Sequence, residues 1–103
     1  MKPEEMLSEA MIDVVLERAR QVSGEGFSLA KDDAYRDDEL VRAGVSYAMQ
    51  AMAPLMHGSV PPEPLWPWNR GWWKPKGRRR DLVRAAALLI AEIERIDRQV
   101  VKQ

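Results

Sequence analysis

The sequence predicts an all-α fold, a three-helix bundle-like domain with a long Trp/Pro-rich loop before the last helix. Three observations carry this. Apolar residues recur at helical spacing in three separate stretches, six prolines between positions 54 and 75 interrupt the chain ahead of the third, and no stretch alternates in the manner of a strand. With 103 residues, 46% hydrophobic and 31% charged, the chain has the composition of a folded protein and the length of a single α-helical domain, residues 1–103.

The first helix is expected over residues 3–22. Pro3 suits a first helical position, and Glu4 and Glu5 suit the positive end of the helix dipole. Leu7, Met11, Val15 and Val22 mark its apolar stripe, with Ala10, Val14 and Ala19 on the flank, and Ser23-Gly24-Glu25-Gly26 ends it. Residues 27–36 keep no sustained period and read as an ordered loop anchored by Phe27, Leu29 and Tyr35. Asp37 or Asp38 is expected to cap the second helix, which runs through Glu39-Leu40-Val41 to Met52-Ala53 and stops at Pro54. Its stripe is Leu40, Ala43 or Gly44, Tyr47 and Ala51, with Val41, Ala48 and Met52 beside it. A glycine inside a helix costs about 1 kcal/mol, so Gly44 implies either close approach of another backbone or simple tolerance.

Residues 54–80 form a loop too long to be a plain connection, hence one that packs or functions. Asp81 is expected to cap the third helix, over 82–101. There Leu82, Ala86, Leu89, Ile93, Ile96 and Val100 alternate in steps of four and three, the seam of a helix–helix contact. Its first half is apolar through Val83, Ala85, Ala87, Leu88, Ile90 and Ala91, while Glu94 and Arg98 are spaced as a solvent-facing pair. This is more apolar surface than two neighbours cover, and a homodimer through the last helix is expected.

Composition excludes several chemistries. There are no cysteines and one histidine, His57, which removes disulfides, thiolate chemistry and clustered-histidine zinc sites. No cofactor or metal site is expected. The longest apolar run, around residues 85–91, is far short of the roughly 20 residues that span a bilayer. The acidic start lacks the apolar core of a signal peptide, so a cytoplasmic location without membrane association is expected. Net charge is zero but unevenly placed: residues 25–39 carry six acids against Lys31 and Arg36, and residues 63–80 carry six bases against Glu63.

The segment Trp66-Pro67-Trp68-Asn69-Arg70-Gly71-Trp72-Trp73-Lys74-Pro75-Lys76-Gly77-Arg78-Arg79-Arg80 holds all four tryptophans and six of sixteen bases. Indole faces stack on bases, and arginine and lysine neutralise phosphate. Trp68, Trp72, Lys74, Arg78, Arg79 and Arg80 are therefore candidate ligand-binding residues for a nucleotide. The simpler reading is that the segment folds back as a lid, with the bases on the surface opposite the acidic loop around Asp32, Asp33, Asp37 and Asp38; both hold together if Trp66 and Trp73 lie inside and Arg78 to Arg80 outside. Double-stranded nucleic acid fits poorly with zero net charge.

Trp66-Pro67-Trp68, Trp72-Trp73-Lys74-Pro75, Arg79-Arg80-Asp81-Leu82-Val83-Arg84-Ala85 and Ala91-Glu92-Ile93-Glu94-Arg95-Ile96-Asp97-Arg98 resemble a family of small phage and prophage proteins of unknown function. Glu17-Arg18 with Gln21, Gly26, Asp32-Asp33 and Glu39-Leu40 extend the similarity upstream. The resemblance implies a phage-related origin, with host-cell cytoplasm as the setting, and brings neither an established activity nor a functional residue to carry over. A remoter similarity is to the all-α NTP pyrophosphohydrolases, which hold Mg²⁺ with Glu-x-x-Glu on one helix and Glu-x-x-Asp on the next. Glu94-Arg95-Ile96-Asp97 matches the second half, whereas Glu39 is followed at the corresponding position by Arg42. Half a ligand set does not support phosphoryl chemistry. Ser46, Ser59 and His57 have no partner placed by sequence that would activate them. The expectation is a non-catalytic accessory protein of phage type that acts by capturing a target, with counter-defence against the host as the role expected of it. Its target would be a phosphate-bearing small molecule or, because tryptophan and arginine dominate protein hot spots, a host protein. The alternatives are a pyrophosphohydrolase-like enzyme, or a structural protein whose Trp loop is only core.

Overall fold

The structure, a computed structural model, describes residues 2–24, 29–52 and 60–102. Phe27, Pro54, His57 and Ser59 lie outside the described residues, as do the side chains of Leu29 and Val100. The fold is all-α, and among the described residues four helices occur: α1 (Glu9–Gly24), α2 (Leu29–Asp33), α3 (Glu39–Met52) and α4 (Arg78–Lys102). The last helix is central, since α1, α2 and α3 each pack on it, α3 most extensively.

Helix boundaries follow local polar chemistry more closely than the apolar pattern predicts. Pro3–Met6 forms a separate 3₁₀ turn and Leu7 is extended, because Ser8 starts a new helix. Its hydroxyl accepts from the Met11 amide at 3.2 Å and its carbonyl from Ile12 at 3.0 Å, as an N-cap does. The expected loop at 27–36 contains α2, and Tyr35 packs against the core as anticipated. The start of α3 is not capped by an aspartate side chain. Instead the Glu39 carboxylate accepts from the Asp37 amide at 2.7 Å, and Asp38 turns through φ 58°, a conformation Asp tolerates better than most residues.

The buried face of α3 is the expected one, with Leu40, Ala43, Gly44, Tyr47 and Ala51. A Cβ on Gly44 would lie 3.3 Å from the Ala85 carbonyl and from the Leu89 side chain. Close backbone approach to α4, rather than tolerance, accounts for this glycine. Gly44→Leu is expected to destabilise the fold by about 1–3 kcal/mol through overpacking, read as a lowered urea midpoint. An unchanged midpoint would mean that α3 and α4 do not cross here.

Against α3 and the loop, α4 buries Ala85, Leu88 and Ala91, together with polar Asp81, Arg84 and Glu92. Of the seam predicted as the helix contact, Leu82, Ile93 and Ile96 are exposed, and Leu89, 40% exposed, reaches α3 beside Gly44. The orientation of α1 is likewise opposite to what an apolar stripe implies. Met11, Val15 and Val22 face outward, whereas Glu17 and Gln21 are buried. The surface that α4 offers is charged, through Arg79, Arg80 and Glu94, and the polar side of α1 pairs with it.

Candidate functional site

Pro61, Pro62, Trp66 and Trp73 are buried, so the Trp/Pro segment supplies core that the helices lack. Tyr47 of α3 is the hub. Its ring stacks on Trp73 at 4.7 Å between centroids and meets Trp66 edge-on at 5.7 Å. Trp66 in turn meets Trp73 at 5.0 Å and Trp68 at 5.4 Å. Arg42 of α3 fastens the segment by donating to the carbonyls of Leu65 (3.0 Å) and Pro64 (2.7 Å). Of the candidate ligand residues, Trp68 thus belongs with the core, half-buried between Trp66 and Tyr35. Trp72 is the outward ring, 45% exposed, with the Lys74 ammonium 5.4 Å from its centroid.

Gly77, at φ 142°, turns the chain into α4, in a region open essentially only to glycine. Asp81 does not cap the amides of the helix it was expected to start. The helix begins three residues earlier, and the Asp81 carboxylate folds back to accept from the amides of Lys76 (2.9 Å) and Gly77 (3.4 Å). Consequently Arg78, Arg79 and Arg80 form the first turn of α4, with their side chains exposed.

Between α1 and this first turn lies a cleft of about 250 Å³ lined by Asp13, Leu16, Glu17, Arg20, Arg79, Arg80 and Val83. Arg79 reaches Asp13 at 2.9 Å across exposed surface. Glu17, only 3% exposed, accepts from Arg20 through both oxygens at 2.9 and 2.6 Å, from Gln21 at 3.2 Å, and pairs with Arg80 at 3.3 Å. Burial pushes the Glu17 carboxyl up, but the Arg20 hydrogen bonds and the charges of Arg20, Arg80 and Arg84 outweigh this and hold it below the ordinary carboxylate value. Behind Glu17 and Arg20 lies a void of about 10 Å³, room for one water, walled by Trp72, Tyr47 and Arg84. The Arg84 guanidinium donates to the Lys74 carbonyl and lies over the Tyr47 ring at 5.5 Å. The Tyr47 hydroxyl accepts from the Lys74 amide at 3.1 Å.

Four guanidinium groups (Arg20, Arg79, Arg80, Arg84) therefore gather, among the described residues, around the carboxylates of Asp13 and Glu17. Arg79 and Arg80 lie in the cleft and Trp72 walls the void behind it, whereas Arg78 is not part of the lining. Glu17, Arg20, Tyr47 and Arg84 were not anticipated as site residues. The one sequence signal for them was Arg84, a charge inside the apolar first half of the last helix.

The acidic loop does not face the basic segment. Asp32, fully buried, pairs with Arg18 of α1 at 3.2 Å, and Asp33 pairs with Arg98 at 2.9 Å. Burial raises the Asp32 pKa, and the neighbouring Arg18 offsets this only in part. Glu94 is engaged with Arg18 at 2.9 Å, so the expected Glu94–Arg98 pair is replaced by two contacts across the fold. Among the described residues, no three His, Cys, Asp or Glu side chains come together in a way that could hold a metal ion, and no helix is long and apolar enough to cross a membrane. No protein-family model, curated protein or solved structure matches the chain.

Proposed function

We propose that this chain is a non-catalytic binding protein of phage-related type that captures a phosphate-bearing small molecule in the α1–α4 cleft, acting as a homodimer through its last helix. The observation that carries the reading is the arginine cluster at this cleft. Arg20, Arg79 and Arg80 line one concave site, with Arg84 behind it, and of the opposing carboxylates only Asp13 is exposed enough to yield its partner to a ligand. Forked guanidinium groups match phosphate oxygens, and Trp72 offers a ring beside the site for a base. The cleft volume suits a phosphate with part of a nucleoside and falls just below the usual range for drug-sized ligands.

Calorimetry with inorganic phosphate and with mono-, di- and cyclic dinucleotides tests this. At low salt, micromolar binding of at least one phosphate compound is expected, with at least about a tenfold loss in Arg79→Ala/Arg80→Ala, equivalent to about 1.4 kcal/mol. Binding should weaken as salt rises. Failure of every compound to bind below about 1 mM, a standard free energy of about −4 kcal/mol, would reject the reading.

Two other readings come from the sequence. Exposed Trp72 and the arginines are also hot-spot types for a host protein, and persistence of the biological effect in the absence of nucleotide binding would favour that. A pyrophosphohydrolase would need Glu94 and Asp97 to share a metal, and the Glu94–Arg18 ion pair speaks against it.

A further inference from the structure

We infer that Asp13 makes the α1–α4 cleft selective for a terminal phosphate monoester, which carries close to two charges, over a phosphodiester, which carries one. The inference rests on the reading of the cleft as a phosphate site and names the class of phosphate that it takes. Among the described residues, the carboxylates of Asp13 and Glu17 line the cleft from one face of α1, a helical turn apart, and they are engaged differently. Glu17 is buried; it accepts from Arg20 through both oxygens and from Gln21, and this fixes it in place. The Asp13 side chain is 41% exposed and pairs at 2.9 Å with Arg79, whose own side chain is 64% exposed.

Exposed ion pairs are weak, so a ligand phosphate can take Arg79 away from Asp13. It cannot take Asp13 away from the cleft. That residue lies inside α1, one turn before Glu17, whose ion pair with Arg80 ties this part of the helix to α4. An anion bound at Arg79 therefore has a carboxylate beside it. For a phosphodiester the exchange is close to even: one single charge replaces another on Arg79, and the displaced Asp13 repels the newcomer. A monoester brings most of a second charge and a third free oxygen, and Arg80 is placed to receive them. Its contact with Glu17 is 3.3 Å, to the same Oε1 atom that accepts from Arg20 at 2.9 Å, so Arg80 is held more loosely on this carboxylate than Arg20. The forked donors of Arg79 and Arg80 together match the three terminal oxygens of a monoester better than the two of a diester. Asp13 thus sets a charge threshold that a monoester passes and a diester does not.

Calorimetry of the full chain with nucleoside 5′-monophosphates and their 3′,5′-cyclic counterparts tests the inference, at low salt and about pH 7.5, where a monoester is mostly doubly charged. Each pair shares base and ribose and differs only at the phosphate. Wild type is expected to bind the better 5′-monophosphate at least about tenfold tighter than its cyclic form. Asp13→Asn keeps the size of the side chain and removes its charge; it should raise affinity for the cyclic form about tenfold and shrink the preference accordingly. Equal affinities for the two forms in wild type would overturn the inference and leave the phosphate reading standing. An unchanged preference in Asp13→Asn would also overturn it, assigning the selectivity to the arginines alone. If no monophosphate, cyclic nucleotide or inorganic phosphate binds below about 1 mM, the phosphate reading falls and the inference with it. Should Asp13→Asn lose its far-UV circular dichroism, the wild-type comparison of the two forms decides.

Discussion

Trp66→Ala is expected to destabilise the fold by about 3–5 kcal/mol, read as a strongly lowered urea midpoint. Trp66 contacts Tyr47, Trp68 and Trp73, and its indole N–H donates to the Asn69 carbonyl at 3.1 Å. Truncating a buried tryptophan costs about 3–5 kcal/mol, a large part of the 5–15 kcal/mol available to a small domain. Trp72→Ala is the control: that ring is 45% exposed, and the change should cost less than about 0.5 kcal/mol. Urea unfolding followed by far-UV circular dichroism measures both. Equal midpoints for the two variants would mean that the aromatic cluster around Tyr47 is not the core.

Glu17→Ala should be nearly as damaging, costing about 3–5 kcal/mol, because it removes the one buried carboxylate that three arginines share. It also carries a pH signature. The folded Glu17 carboxyl titrates below its ordinary value, so its contribution is fully present above the unfolded pKa and is lost as pH falls through the folded one. Asp32 works in the opposite direction: its folded pKa is raised, so its charged form costs stability and protonation on acidification removes that cost. Glu17→Gln should accordingly lose stability at neutral pH and show a flatter decline in acid than wild type. A parallel decline in the two proteins would show that Glu17 is not the group that titrates with unfolding.

The existence of the long helices was legible in the sequence because period and stop signals agree. Leu40, Tyr47 and Ala51 lie on one face, and Ser23-Gly24 stops α1 where expected. The division of the Trp/Arg segment was legible too, with Trp66 and Trp73 inside and Arg78 to Arg80 outside. Helix starts were less so. Ser8, Glu39 and Asp81 each settle one through a side chain bonding to a nearby amide, and several neighbouring residues had equal claim to that role.

By itself the sequence determined an all-α chain with a Trp/Pro-rich segment and a basic turn leading into the last helix, because periodicity, proline placement and charge density are local properties. Which side of α1 faces inward was decided only by tertiary structure. An amphipathic helix can bury either face, and the arginines at the start of α4 made the charged side of α1 the complementary one. The same pairing assembled the cleft, bringing Asp13, Glu17 and Arg20 against Arg79 and Arg80 from some sixty residues away. Spacing along a chain carries no information about contacts at that distance. What selects the partner is the requirement that a charge leaving water must meet its opposite.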